Sequence, residues 1–98
     1  MDESDAIMIL RALGEPTRLK LMHLLASSPA PLPAGTIARR LAVRQNTLSS
    51  HIATLARSDL ILGHRQGRQI LYAPNPRTAT RLTRYLSASL CKPGENDA

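Results

Sequence analysis

The sequence predicts a mainly α-helical single domain with one small β-hairpin, about five helices and two strands in 98 residues. Three observations carry that expectation. The chain is 43% hydrophobic but only 2% aromatic, with Tyr72 and Tyr85 alone, so its core must come from Leu, Ile and Ala. Such residues lose little on entering a helix. Apolar residues recur at helical spacing over most of the chain, and the period changes to that of strands only after Leu60. A length of 98 residues allows one domain, 1–98, and is short for most large enzyme architectures.

The first helix is expected over 4–13, where Ala6, Ile7, Met8, Ile9, Leu10, Ala12 and Leu13 are apolar and only Arg11 interrupts. A helix apolar nearly all round is covered on more than one side, and a partner chain is the economical cover. Gly14 ends it by tolerating a left-handed conformation. Glu15-Pro16-Thr17 opens a second helix, since proline suits a first helical turn, and it runs to about Ser27. The proline-rich Ser28–Pro33 is read as a surface connector. From Ala34 a short helix carries Ile37, Ala38 and Leu41, Ala42-Val43 turns tightly, and a longer helix runs from about Arg44 to Asp59. Its buried stripe is Leu48, Ile52 and Leu55. The opposite side shows Asn46, Ser49, Ser50, Ala53 and Arg57. Two helices a few residues apart, the second polar on its free face, fit a helix-turn-helix over 34–59. Strands at 61–65 and 68–73 follow around Gln66-Gly67, where Gly67 supplies the positive φ of a tight hairpin. A last helix, 77–91, aligns Ala79, Leu82, Leu86 and Leu90.

Charge narrows the partners. Lys and Arg total 13 against 7 acids, for a net +6. From Pro16 to Gly94 the only acid is Asp59, against twelve basic residues; Glu95 and Asp97 close the chain. Clustered arginines neutralise phosphates and release counterions, which favours nucleic acid. The acidic start does not resemble a secretory signal, and no run approaches the roughly 18 apolar residues of a membrane span. A cytoplasmic protein is expected, with no membrane partner. One cysteine excludes an internal disulfide and any multi-thiolate zinc site within one chain. His23, His51 and His64 show no metal-ligand spacing and no paired carboxylate, so no enzyme, metal or cofactor is expected.

Three segments then carry a family resemblance. Ala12–Leu19, Thr47–Ile52 followed by Leu55, and Arg65–Tyr72 are similar, in register, to the opening signature, recognition helix and wing of ArsR-type repressors. The likeness spans roughly residues 6–91. It implies a winged helix-turn-helix with a wing over 61–73. It also implies a homodimeric transcriptional repressor whose first and last helices, 4–13 and 77–91, form the dimer interface. Ile7, Leu10, Leu82 and Leu86 are the interface candidates. The resemblance extends to release from DNA by a small inducer, arsenite or a thiol-reactive signal.

On that frame Gln45, Asn46, Ser49 and Ser50 present amides and hydroxyls to a major groove about 12 Å wide. Thr47 and His51 flank the buried stripe, where His51 either contacts DNA or packs. Arg57 shares the free face. Arg65 and Arg68 flank the wing turn and should meet phosphate or the minor groove; His64 either joins them or is a plain surface residue. Arg39 and Arg40 are further phosphate candidates. A pseudo-palindromic double-stranded operator is the expected target. The alternative is a winged-helix module that binds proteins without specific DNA contact, which would favour an apolar outer face on the recognition helix.

The family's metal motifs are not intact. Leu32–Ile37 lacks the thiolate pair that many members carry ahead of the recognition helix. No histidine or acid occurs between Asn75 and Lys92, where others hold zinc. Tyr85–Cys91 resembles an arsenic-binding helix end, with Leu90 standing where one thiol would be. Cys91 is therefore the one effector candidate, and a lone thiol without an effector role is the plainer reading, because soft metals need two or three sulfurs.

Overall fold

The structure is a computed structural model, and it describes residues 1–94; Glu95 and Asp97 lie outside the described residues. The elements are α1 (Glu3–Leu13), α2 (Pro16–Ser27), β1 (Leu32–Pro33), α3 (Ala34–Leu41), α4 (Gln45–Arg57), β2 (Ile61–Gln66), β3 (Gln69–Pro74) and α5 (Pro76–Leu90). Five helices with a hairpin between the fourth and fifth give the predicted winged helix-turn-helix order.

The helix starts are side-chain capped where the sequence supplies acceptors. Asp2 Oδ1 accepts from Asp5 N at 2.8 Å, and Glu15 accepts from Thr17 N and Arg18 N at 3.2 and 3.0 Å. Both helices of the helix-turn-helix end in the same device. Ala42 (φ 55°) and Asp59 (φ 58°) are left-handed. Val43 N bonds Ala38 O at 3.1 Å, and Leu60 N bonds Leu55 O at 3.0 Å. Each is a six-to-one closure that satisfies helix carbonyls and folds an apolar residue back onto the core. Asp59 is then tied forward, since its carbonyl accepts from Asn75 Nδ2 at 3.0 Å and from the Thr78 hydroxyl.

One core unites these elements. Leu21, Ile37, Leu48 and Leu55 are fully buried, and Ala6, Ile9, Ala12, Leu25, Ala38, Ile52, Leu60, Ile61 and Leu82 complete the cluster. The proline-rich connector is more than a loop. Leu32–Pro33 pairs with β3 through Leu32↔Tyr72 and Pro33↔Leu71, making a three-stranded sheet in the order β1-β3-β2. Proline is admissible there because β1 is an edge strand, where its missing N–H faces away from the ladder. In the hairpin, Gly67 has φ 65°, and a Cβ on Gly63 would come within 3.1 Å of Ile70 and 3.2 Å of Tyr72.

The flanking helices are only half covered. In α1, Ala6, Ile9 and Ala12 are buried, while Ile7, Met8 and Leu10 stay 44%, 45% and 42% exposed. In α5 only Thr78 and Leu82 are buried, and Leu90 is 78% exposed. The radius of gyration is 14.7 Å, above the roughly 13 Å of a compact chain this long. Leu82 needs a correction. One chain already buries it in its own core, so it is not free to pack against a second chain, and Leu82→Asp would report on folding.

Ala42 in the left-handed region costs roughly 1–2 kcal/mol, and glycine there returns part of it to unfolded-chain entropy. Ala42→Gly should therefore raise the thermal midpoint by about 2–8 °C in circular dichroism. An unchanged or lowered midpoint would contradict the strain assigned to this turn.

Candidate nucleic-acid interface

Burial of Leu48, Ile52 and Leu55 fixes the rotation of α4 about its axis. Asn46, Ser50, Ala53 and Arg57, spaced four, three and four residues apart, then form its outward row, and all four are exposed. Ser49, Ala53 and Ala56 turn toward the wing, where they line a groove of about 460 Å³ with Arg65, Ile70 and Tyr72. The structure thus brings Ser49 and Arg65 to one groove, although they lie on different elements. Gln45 lies beside Arg39: Gln45 Nε2 and Arg39 Nη1 each stand 3.6 Å from the position a Cβ on Gly35 would take. Arg65 and Arg68 are exposed on either side of the wing turn, and His64 is exposed on β2.

The polar groups of α4 are partly occupied within the helix. Ser49 Oγ donates to Gln45 O at 2.9 Å, and Thr54 Oγ1 donates to Ser50 O at 3.1 Å. Asn46 Oδ1 accepts from Thr47 N at 2.9 Å. A bidentate pairing of Asn46 with adenine, which uses amide oxygen and nitrogen together, would share or give up this one bond. The Ser50 hydroxyl has no partner among the described residues, and Thr47 is exposed beside it. No acid occupies the first turn of α4, so its N-terminal end suits a phosphate.

His51 and Arg57 differ from the other α4 candidates in what they contact. His51 is only half-buried and points into the fold: its Nδ1 lies 3.1 Å from Arg18 Nη1 and 3.5 Å from Glu15 Oε2. Of the two roles open to His51 in the sequence, the geometry supports packing. Arg57 lies in the last turn of α4, about 16 Å along the axis from Asn46. There it lines a groove against α1 with Arg11 and Arg18.

Arg18 is the residue sequence reasoning missed. Its Nε donates to Ala12 O at 2.6 Å and its Nη2 to Arg11 O at 3.3 Å, closing the C-terminal end of α1. Its third nitrogen reaches His51 on α4. One guanidinium thus ties α1, the start of α2 and the recognition helix together. A guanidinium can only donate, so His51 Nδ1 is the acceptor in its contact with Arg18. Burial pushes the Glu15 carboxyl up, but the N–H bonds from Arg18 and Thr17 and the charges of His51 and Arg18 outweigh it. The carboxyl is held below its ordinary 4.5. The contact spans 33 residues, and no local signal in the sequence announces it.

A helix-turn-helix with a polar, acid-free reading row and an arginine-flanked hairpin beside it defines a winged-helix DNA-binding module. Known proteins agree. A family model described as a helix-turn-helix domain matches residues 7–64. The chain is 31% identical over 93 residues to the biofilm growth-associated repressor of Agrobacterium fabrum, covering 95% of this chain and 78% of that protein. A solved ArsR-like transcriptional regulator from Rhodococcus superposes with a TM-score of 0.78 at 24% identity, over 87% of this chain and 78% of that one. So does the homodimeric winged helix-turn-helix DNA-binding domain of a possible ArsR-family regulator from Mycobacterium bovis. Its TM-score is 0.72 at 20% identity, over 87% of this chain and 78% of that one.

The chain belongs to the family that this helix-turn-helix model describes, and its fold is the winged helix-turn-helix of the ArsR-like structures. It is a DNA-binding regulator of transcription, not an enzyme.

The depressed Glu15 carboxyl gives a pH signature. Because the folded state favours the ionised form, its contribution is present above the ordinary 4.5 and is lost as pH falls through the lower folded value. The urea midpoint of wild type should exceed that of Glu15→Gln at about pH 7, with the gap closing as pH falls below 4.5. A gap independent of pH would contradict this role.

Proposed function

We propose that this regulator is a cytoplasmic homodimeric repressor that reads a pseudo-palindromic operator with α4 in successive major grooves. The observation that carries the reading is the outward row of α4, exposed and free of acids, with Ser50 unengaged and the wing arginines alongside. Backbone contacts by Arg65 and Arg68 would position the module, and Gln45, Asn46, Ser49 and Ser50 would distinguish bases. Two-fold symmetry places half-sites about 34 Å apart or a multiple of it.

Dimerisation is supported by the half-covered α1 and α5 and by the homodimeric state named for the Mycobacterium bovis domain. Ile7 and Leu10 remain the interface candidates on α1, with half-buried Leu86 on α5. The repressor assignment follows the name of the Agrobacterium relative. No helix among the described residues is long and apolar enough to cross a membrane, which accords with a protein that works beside DNA.

Release by an inducer belongs to the same reading. A thiol-directed signal has only exposed Cys91, just past α5, to act on. A Cys91→Ser variant that releases operator on peroxide as readily as wild type would place sensing elsewhere.

The experiment for base reading is a salt-controlled affinity series on promoter DNA and on random DNA. Ser50→Ala and Asn46→Ala should each cost about 1–3 kcal/mol on the specific site and much less on random DNA. Arg68→Ala should weaken both alike and reduce the salt slope by about one. Equal losses on both DNAs for all three variants would remove the reading role of α4.

A further inference from the structure

We propose that the groove between α1 and α4 binds an amphipathic carboxylate, an apolar tail with one anionic head, which competes with operator DNA for Arg57. The binding step stands on the groove alone. The competition rests on the reading of α4 as the DNA-facing helix, and it names a chemical class for the inducer.

The groove measures about 790 Å³, within the roughly 300–1,000 Å³ usual for small-molecule sites. Ile7, Met8 and Ala12 of α1 form its apolar floor, Arg11, Arg18 and Arg57 supply its charge, and no acid lines it. Along α1 the groove runs from Ser4 to Ala12, about 12 Å of helix. Ile7 and Met8 stay 44% and 45% exposed, so a tail laid on them would remove apolar surface from water. Of the residues assigned above to the dimer interface, only Ile7 reaches this groove.

Three cations meet here, and one of them is answered. The nitrogens of Arg18 hold Ala12 O, Arg11 O and His51, and its charge acts on the Glu15 carboxylate. The Arg11 guanidinium makes no hydrogen bond or ion pair among the described residues, where the sole ion pair joins Glu15 and His51. Arg57 makes one long bond, from Nη2 to Thr54 Oγ1 at 3.4 Å. Two planar donor forks on two different helices therefore border one apolar floor. A carboxylate accepts from such forks in parallel pairs, and a tail on the same molecule covers the floor. A bare phosphate would leave Ile7 and Met8 wet, and a neutral apolar molecule would leave both cations unanswered.

Arg57 links this site to DNA. It shares the outward row of α4 with Asn46, Ser50 and Ala53, so a guanidinium held by a carboxylate on the α1 side is withdrawn from the duplex. Ligand and operator are then antagonists, and by linkage each lowers the affinity of the other by the same factor.

Octanoate is the probe, with 1-octanol and octylamine as its neutral and cationic counterparts, titrated calorimetrically into the full chain without DNA. Octanoate should bind saturably and about tenfold or more tighter than either counterpart. Arg11→Gln and Arg57→Gln, at exposed positions and checked for helix content by circular dichroism, should each weaken it by about tenfold. Arg84→Gln, exposed on α5 and outside the groove, should leave it unchanged. Octanol binding as tightly as octanoate, octanoate binding that never saturates, or binding untouched by both groove variants would overturn the site. At matched ionic strength, saturating octanoate should lower operator affinity by about fivefold or more, and Arg11→Gln should blunt that loss. Octanoate bound in the groove with operator affinity unchanged would overturn the antagonism. An Arg11→Gln variant that flattens the salt slope on random DNA, in a protein that binds no octanoate, would assign the groove to the DNA backbone and overturn the proposal. A chain that binds no operator even without octanoate would overturn the DNA reading of α4, and with it the competition, but not the groove.

Discussion

Everything functional in this chain depends on burying three side chains of α4. Leu48 and Leu55 are fully buried and Ile52 is 7% exposed. Each large apolar side chain so placed contributes about 1.5–3 kcal/mol relative to exposure. That burial sets the roll of the helix, and the roll decides which residues face a groove. A rotation of one residue would turn Ser50 aside and bring His51 outward. The left-handed closures at Ala42 and Asp59 hold the ends of the helix pair, and Asn75 and Thr78 pass the constraint on to α5.

The same helix is held from its other flank by polar contacts. Arg18 spends three nitrogens on Ala12 O, Arg11 O and His51, so a shift of α1 is felt at the recognition helix. This matters in a protein whose outer helices are left half covered by one chain. In the proposed homodimer the spacing of two reading heads would be set by how the subunits meet, and Arg18 would connect α1 in that meeting surface to the reading head. An inducer would act by favouring a spacing that fits the operator poorly, and its effect is bounded by its preference for that arrangement.

Much of this was legible in the sequence, for physical reasons particular to each segment. Helical spacing of Leu48, Ile52 and Leu55, the Gly67 turn and the prolines at 16 and 76 are local signals, and they placed the helices and hairpin to within one or two residues. Long-range pairings were not legible. Leu32–Pro33 joins the sheet only because β3 has a free edge beside it, and two prolines nearby argue locally for a loop. His51 turns inward because Glu15 and Arg18 await it from another helix. Leu82 sits on a stripe with Leu86 and Leu90, and periodicity alone cannot say which part of a stripe meets its own core and which a partner. The outward row of α4 needed only the helical period, so Asn46 and Ser50 were readable while the engagement of Asn46 with Thr47 N was not.

Guanine methylation interference on a bound promoter fragment tests the central claim most directly, because methylation at N7 obstructs the major groove alone. The account predicts two interference clusters on one face of the duplex, related by two-fold symmetry and centred about 34 Å apart or a multiple of it. Interference in a single cluster, or protected binding with every guanine methylated, would contradict a dimer that reads the major groove with α4.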